Sequence, residues 1–350
     1  MGSSWTSFGT LKSVLVGNES KFKKAYADIT FKQFYKEALN QEIYDQSKYE
    51  LTYELSVQRN DELDKLAKTL SNQGIEVFRP DTMTKLIKFT TPEFESEISP
   101  ANNVRDITLV YGNNIIETPP FVRNRYFENK SLINVFNKLH LNRDYKWFRF
   151  PHNELIESKM DLTAWDTKRD YNNFNKEDYT PAIDGAQFLR IGKDVIVNIN
   201  SYNHYLGYLW VKSFFPESNF HLINIADNHI DGALICLSPG KFLVNPKYKN
   251  IKDILPDKFK NWDYIFPVET TRKTSGQRLA SDEGMDINIL SINPNTVVSN
   301  QKAYNVNEAL SKNGFDIIET SLNHCEMFGG GVHCSTLDLD REDEYIDYTK

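Results

Sequence analysis

Apolar positions along this chain follow two periods in alternation. Four stretches, residues 106–117, 186–198, 233–245 and 287–299, each hold an apolar β-rich run, a turn containing glycine or asparagine, and a second such run. Each reads as a β-hairpin, because β-branched side chains suit a pleated surface and those turn residues supply the reversal. Between hairpins the period lengthens. In residues 61–78, Leu63, Leu66, Ala67 and Leu70 recur at helical spacing, Gly74 ends the helix, and Ile75–Phe78 reads as a short strand. Residues 306–318 repeat that unit, and 205–225 are a looser copy.

The recurring order is strand–strand–helix–strand, used about five times. Such a repeat predicts radial modules closed into a ring, one α/β domain over residues 1–350, with the start of every hairpin near a common channel.

Composition narrows the class. The chain has 350 residues, 40% hydrophobic and 13% aromatic, which is ample for a packed core. No apolar run is long enough to span a bilayer and no charged-then-apolar leader opens the sequence, so no membrane partner is expected. A formal charge of −7 and the acidic residues within 338–347 argue against nucleic acid. Three cysteines make no disulfide framework and fit a reducing cytoplasm.

Candidate chemistry gathers at the hairpin starts. Asp106 precedes the first, Asp184 the second, His229 and Asp231 the third, Asp282 and Asp286 the fourth. A further thiol, Cys334, follows Gly329, Gly330 and Gly331, three residues whose missing Cβ atoms allow positive φ and close approach of a ligand; His333 and Cys334 read as opening a strand. One such aspartate alone is ordinary turn chemistry. Together they form a set: a thiolate needs a base or cation, histidine supplies it, and a carboxylate orients the histidine. Carboxylates beyond that triad call for a cationic substrate, and a guanidinium is the cation two carboxylates hold best.

The sequence resembles amidinotransferases of the arginine:glycine type, in the guanidine-modifying superfamily that includes the arginine deiminases. The resemblance rests on Thr10-Leu-Lys-Ser-Val-Leu-Val-Gly17, Thr91-Pro-Glu-Phe-Glu-Ser96, and Arg105-Asp-Ile-Thr-Leu-Val-Tyr-Gly112 with Arg123 and Arg125. It continues through Asp184-Gly-Ala-Gln-Phe-Leu-Arg-Ile-Gly192, His229-Ile-Asp-Gly-Ala233 and Phe328-Gly-Gly-Gly-Val-His-Cys-Ser-Thr336. It implies a five-bladed pseudo-symmetric α/β propeller, in agreement with the repeat count. It also implies Cys334 as nucleophile, His229 as general acid/base, Asp184 as its orienting carboxylate, and Asp106 and Asp231 as the grip on the guanidinium, with Gly331 in the substrate pocket. The implied reaction moves the amidino group of L-arginine through an amidino-cysteine to an acceptor amine and releases L-ornithine, with no metal and no organic cofactor. The substrates are small molecules, and the relatives imply a homodimer.

Departures from the family pattern bear on substrate. Lys247 and Tyr248 stand where relatives keep an arginine for the donor carboxylate, Ser281-Asp282 replaces a paired serine, and Asp227-Asn228 lacks the methionine of glycine-using enzymes. Glycine is the default acceptor by resemblance, with another amine as the alternative. A deiminase or dihydrolase outcome uses the same cysteine adduct, and a catalytically dead module binding cationic amino acids is the non-enzyme alternative. The aromatic, polar residues 142–179 read as either a lid or a surface insertion. His324-Cys325 and His333-Cys334 could suggest zinc, but neighbours on a strand point to opposite faces, so no metal site is expected. Cys236 reads as core, and His140, His152, His204 and His221 as structural.

Overall fold

The computed structural model describes residues 2–19, 24–25, 30, 50–161, 169–226, 228–269 and 285–350. Four hairpins form at the four stretches with hairpin turn chemistry. They are Thr108–Tyr111 with Asn114–Glu117, Phe188–Ile191 with Asp194–Asn198, Leu234–Ser238 with Lys241–Val244, and Leu290–Asn293 with Thr296–Asn300. Gly112, Gly192 and Gly240 take φ of +61°, +68° and +82° in the first three turns, a backbone that favours glycine.

Each hairpin gains a third, parallel strand: Lys146–Arg149, Asn219–Ile223, Asp263–Ile265 and Asp316–Thr320. A helix makes each crossover, namely Ile133–Arg143, Tyr202–Lys212, the short Ile251–Ile254, and Tyr304–Lys312. Parallel strands need such a crossover, which is why the sequence switches period there.

The fifth sheet is built from distant parts of the chain. Thr10–Val16 lies at its centre, antiparallel to Thr336–Glu342 and parallel to Glu76–Phe78, with Tyr53–Ser71 as the helix. Its hairpin therefore has no turn: the two strands come from opposite ends of the sequence.

Five apolar clusters seal five junctions. Alternation along each strand sends neighbouring side chains to opposite neighbours. In the first hairpin Leu109, Tyr111 and Ile116 pack on the second blade, while Val110 and Ile115 pack on the fifth. In the third, Leu234, Cys236 and Phe242 meet the second blade, and Ile235, Leu237 and Leu243 meet the fourth. Leu11, Val14 and Val16 join Leu290, Ile292 and Val298 at the remaining junction. Every blade thus touches two others and the ring closes into a five-bladed α/β propeller. Strands buried on both faces read as near-continuous apolar runs, as these do.

Two expectations change. Residues 332–335 form a turn, and the strand begins at Thr336, so Cys334 stands ahead of a strand and not within it. Residues 142–149 are not lid: they end the first blade's helix and form its third strand. Beyond them, Asp161 and Arg169 pair at 2.8 Å while Tyr171, Phe174 and Tyr179 pack about Tyr202. Among the described residues no helix is long and apolar enough to cross a membrane.

Candidate active site

Equivalent positions of the ring deliver the site. Asp106 leads into the first blade, Asp184 caps the short 3-10 turn before the second, and His229 precedes the turn before the third while Asp231 lies within it. Cys334 leads into the fifth. One ligand atom each from Asp106, His229 and Cys334 lie within 4.8 Å of one another. These residues are 228 positions apart in sequence at the extreme, and only ring closure joins them.

His229 sits between two carboxylates. Its Nε2 meets Asp184 Oδ2 at 2.9 Å, and its Nδ1 lies 3.6 Å from Asp106 Oδ1. Burial alone disfavours the imidazolium, but Asp106 and the hydrogen bond and charge of Asp184 outweigh it and hold the imidazole up to about 9. Asp106 is anchored from behind: Arg125 donates to its Oδ2 at 2.7 Å and is itself held by Glu128 through contacts of 2.7 and 3.0 Å. Burial, with Asp184 and Asp231 nearby, nevertheless raises the Asp106 carboxyl against the pull of His229 and Arg125.

Asp231 accepts from or pairs with two groups at one oxygen. His333 Nδ1 is 2.7 Å away and the Cys334 thiol donates at 3.3 Å. Burial would raise this carboxyl, yet the His333 hydrogen bond and the charges of His333, His229 and Arg105 hold it down to about 2. His333 is itself lowered, chiefly by burial and by Arg105. The thiol goes the other way: burial, then Asp231 and Asp106, push Cys334 well above the ordinary thiol range.

Two buried carboxylate oxygens, Asp106 Oδ1 and Asp184 Oδ1, have no hydrogen-bond partner. Such atoms are costly unless something meets them. Both belong to the carboxylates that face His229.

The glycine turn is tuned to its own protein. Only Gly329 takes positive φ, +63°, closing the helical turn Cys325–Phe328. A Cβ on Gly330 would lie 2.2 Å from Asn103 Oδ1, and one on Gly331 would lie 2.8 Å from Asn288. Asn288 thus packs against Gly331 on the side where a Cβ would stand. Asn288 also donates to Cys334 Sγ at 3.1 Å and accepts from the Cys334 N–H at 3.0 Å.

Lys247 is exposed on the turn after the third hairpin, its ammonium 5.9 Å from the Tyr248 ring. Ser281 and Asp282, and Asp227, lie outside the described residues. The two His-Cys pairs are separated: His324 meets Glu62 at 2.8 Å and Cys325 joins an apolar cluster, while His333 and Cys334 both meet Asp231. Cys236 is core, and His140, His152 and His221 each have a hydrogen-bond partner, as does the buried His204. Asn288, His333 and Arg125 were given no role by sequence reasoning. The location rule, one residue ahead of each hairpin, finds Asn288 once the chemistry is not restricted to charged types.

No family model matches the chain. It is 28% identical over 293 residues to an L-arginine:L-lysine amidinotransferase of Pseudomonas savastanoi pv. phaseolicola, covering 82% of this chain and 80% of that protein. It is 27% identical over 292 residues to the mitochondrial glycine amidinotransferase of Xenopus laevis, covering 80% and 69% respectively. Among solved structures, an amidinotransferase of the saxitoxin biosynthetic pathway from Microseira wollei matches with a TM-score of 0.83 at 26% identity over 99% of both chains. The inosamine-phosphate amidinotransferase of Streptomyces griseus has the same fold, with a TM-score of 0.85 at 23% identity over 100% of this chain and 99% of that one. A dimethylarginine dimethylaminohydrolase shares the fold more distantly, with a TM-score of 0.56 at 12% identity over 94% of this chain and 99% of that one. Sequence likeness across four fifths of its length and fold likeness across the whole make this chain an enzyme of the amidinotransferase type.

Proposed function

We propose that the chain moves the amidino group of L-arginine through a covalent amidino-Cys334 to an acceptor amine, releasing L-ornithine. The observation that carries this reading is a pair of buried oxygens that accept no hydrogen bond, Asp106 Oδ1, 3.6 Å from His229 Nδ1, and Asp184 Oδ1, on carboxylates facing an imidazole that stands beside a thiol. A guanidinium is flat, permanently charged and rich in N–H donors, so it suits acceptors fixed in this way. Lys247 offers the donor's carboxylate a point charge, and Ser281 and Asp282 are assigned to the acceptor side.

The chemistry follows from the charges. Three carboxylates surround the His229 imidazolium and the thiol, and arrival of a further cation favours loss of the thiol proton that they otherwise oppose. Sulfur attacks the guanidinium carbon. The thiol proton passes to solvent as the substrate binds, the C–S bond forms and the C–N bond breaks, and the leaving nitrogen takes its new hydrogen from His229. His229 enters charged, so it can give a proton to the leaving nitrogen as that nitrogen departs. It is then neutral and takes a proton from the incoming amine, which restores its charge as the C–S bond breaks; sulfur leaves as thiolate and regains its proton from solvent. Transfer rather than hydrolysis requires that an amine and not water meet the adduct. The three cysteines are free thiols, which suits the reducing cytoplasm where we place the reaction.

Mass spectrometry of the intact protein after exposure to L-arginine alone tests this. An amidino adduct is expected on Cys334, absent in Cys334→Ala, and discharged by glycine, lysine or another amine to a guanidino product. Urea and ornithine formed without any amine would mean that water meets the adduct, and citrulline that ammonia leaves in place of ornithine, either one replacing transfer by hydrolysis; absence of the adduct would sink the covalent route.

A further inference from the structure

We infer that Asn288 is a catalytic residue, the group that holds the reacting sulfur in place and stabilises it as an anion. The inference rests on the reading of Cys334 as the nucleophile.

The argument begins with orientation. The side-chain amide of Asn288 faces both ends of Cys334: Oδ1 accepts from the Cys334 backbone N–H at 3.0 Å, and Nδ2 lies 3.1 Å from Sγ. A backbone N–H can only donate, so the oxygen must face it and the NH2 must face the sulfur. The second Nδ2 contact agrees, reaching the carbonyl of Asp231 at 3.4 Å. Farther along the same residue, the Asn288 carbonyl accepts from His333 N–H at 3.2 Å. Its Cβ and Oδ1 press so close on Gly331 that a Cβ there would lie 2.8 Å from each. Asn288 therefore has one rotamer and one direction, and the donor aimed at sulfur is fixed before any substrate arrives.

The surroundings give that donor its purpose. The charged groups facing this sulfur are Asp231 at 3.3 Å and Asp106 and His229 within 4.8 Å, with Asp184 behind the imidazole and His333 and Arg105 behind Asp231. Asp231 can accept from a thiol, but once the proton leaves, that same contact sets two anions against each other. The Asn288 contact changes in the opposite sense. A donor to neutral sulfur is a weak hydrogen bond, and the same donor to a thiolate is charge-assisted and roughly twice as strong. Only an interaction stronger in the charged form accelerates the step that needs it. Asn288 carries no charge, so it gives this help without repelling the guanidinium.

The test uses wild type, Asn288→Asp and Asn288→Ala, each checked for native fold by circular dichroism. Asn288→Asp keeps the acceptor for the Cys334 N–H and replaces the donor by an anion. It should move the iodoacetamide-labelling midpoint of Cys334 up by about one unit or more and slow adduct formation from L-arginine about 100-fold. Arginine binding by calorimetry should stay within about threefold of wild type, since Asn288 acts on the sulfur and not on the guanidinium. Asn288→Ala should shift both readouts the same way by about tenfold. Labelling midpoints and adduct rates equal to wild type in a folded variant would overturn the inference. A measurement on the wild type covers the case in which both variants misfold. In 15N-asparagine-labelled protein, the Asn288 side-chain amide resonance should shift with pH along the titration of Cys334 and lose that dependence in Cys334→Ala. A resonance indifferent to the thiol's titration also overturns it. Wild type that forms no adduct on Cys334 would instead remove the nucleophile reading on which the inference stands.

Discussion

In the candidate site the imidazole and the thiol both hold their protons at neutral pH. His229, held up to about 9, is charged at neutral pH, and Cys334, pushed well above the usual range by burial and carboxylates, keeps its hydrogen. The charged form of His229 is the one below about pH 9, so the sign is fixed: single-turnover adduct formation should climb with pH as sulfur ionises, then level off once pH passes about 9, where loss of imidazolium offsets the further gain of thiolate. A rate still rising well past that point would take His229 out of the acid role. His229→Ala should slow the step by about 10²–10⁴ while leaving arginine binding largely intact, measured by rapid quench and calorimetry. At this scale the sequence is legible where residue types are reactive. Cys334, His229 and the aspartates stand ahead of their blades and declare themselves by chemistry. Asn288 occupies the same kind of position, but a neutral amide carries no such flag, and Asp286 two residues earlier draws the eye instead.

The turn bearing Cys334 is an element whose shape is imposed from outside. Arg59, fully buried on the helix Tyr53–Ser71, donates to the Gly330 carbonyl at 3.0 Å, to Ser335 Oγ at 2.8 Å and to Asn102 Oδ1 at 3.1 Å. Asn103 donates to the Phe328 carbonyl at 2.9 Å. Gly330→Ala would drive a Cβ to 2.2 Å from Asn103 Oδ1, so the turn must move. We expect a loss of about 1–3 kcal/mol in stability and at least about tenfold in adduct formation, read by denaturant titration and single turnover. Gly240→Ala is the contrast: its φ of +82° is strained but nothing lies within 4 Å, so it should cost about 1 kcal/mol and leave the rate unchanged. Equal rates for both variants would show that the turn is not positioned by this packing. Hairpins and helices were legible because local pattern determines them. The form of residues 332–335 was not, because the partners that hold the turn come from positions 59, 103 and 288. Residues 142–149 misled for a related reason: the strand Lys146–Arg149 is an outer strand, with exposed lysine and arginine that obscure its alternation.

Across the whole molecule one buried carboxylate gathers the blades. Asp338 accepts from Arg105 at 2.6 Å, from Arg341 at 3.0 Å and from Arg190, while Arg341 also reaches the carbonyls of Ser291, at 2.8 Å, and Gly9. Arg105 continues to the His333 carbonyl at 2.8 Å, linking this node to the turn that bears Cys334. Burial would raise the Asp338 carboxyl, but the three guanidiniums hold it well below 3.8. A depressed pKa means the stabilisation is present in full above 3.8 and is withdrawn as pH falls through the lower folded value. Asp338→Asn should therefore cost about 3–5 kcal/mol near neutrality, a gap that narrows in acid. A gap that stays constant from pH 7 to about pH 3 would contradict the assignment. The count of five modules was legible from repetition. The pairing in the fifth was not, since its two hairpin strands share no turn and nothing local joins Thr10–Val16 to Thr336–Glu342.

That split blade sets a timetable. During synthesis the aspartates and the histidine leave the ribosome first, and the sulfur follows only after four blades exist in full. Until Thr336–Glu342 settles against Thr10–Val16, no strand anchors the cysteine beside its partners. A nascent or interrupted chain thus holds acids and imidazole without the thiol beside them, and the candidate site is complete only with the last seam.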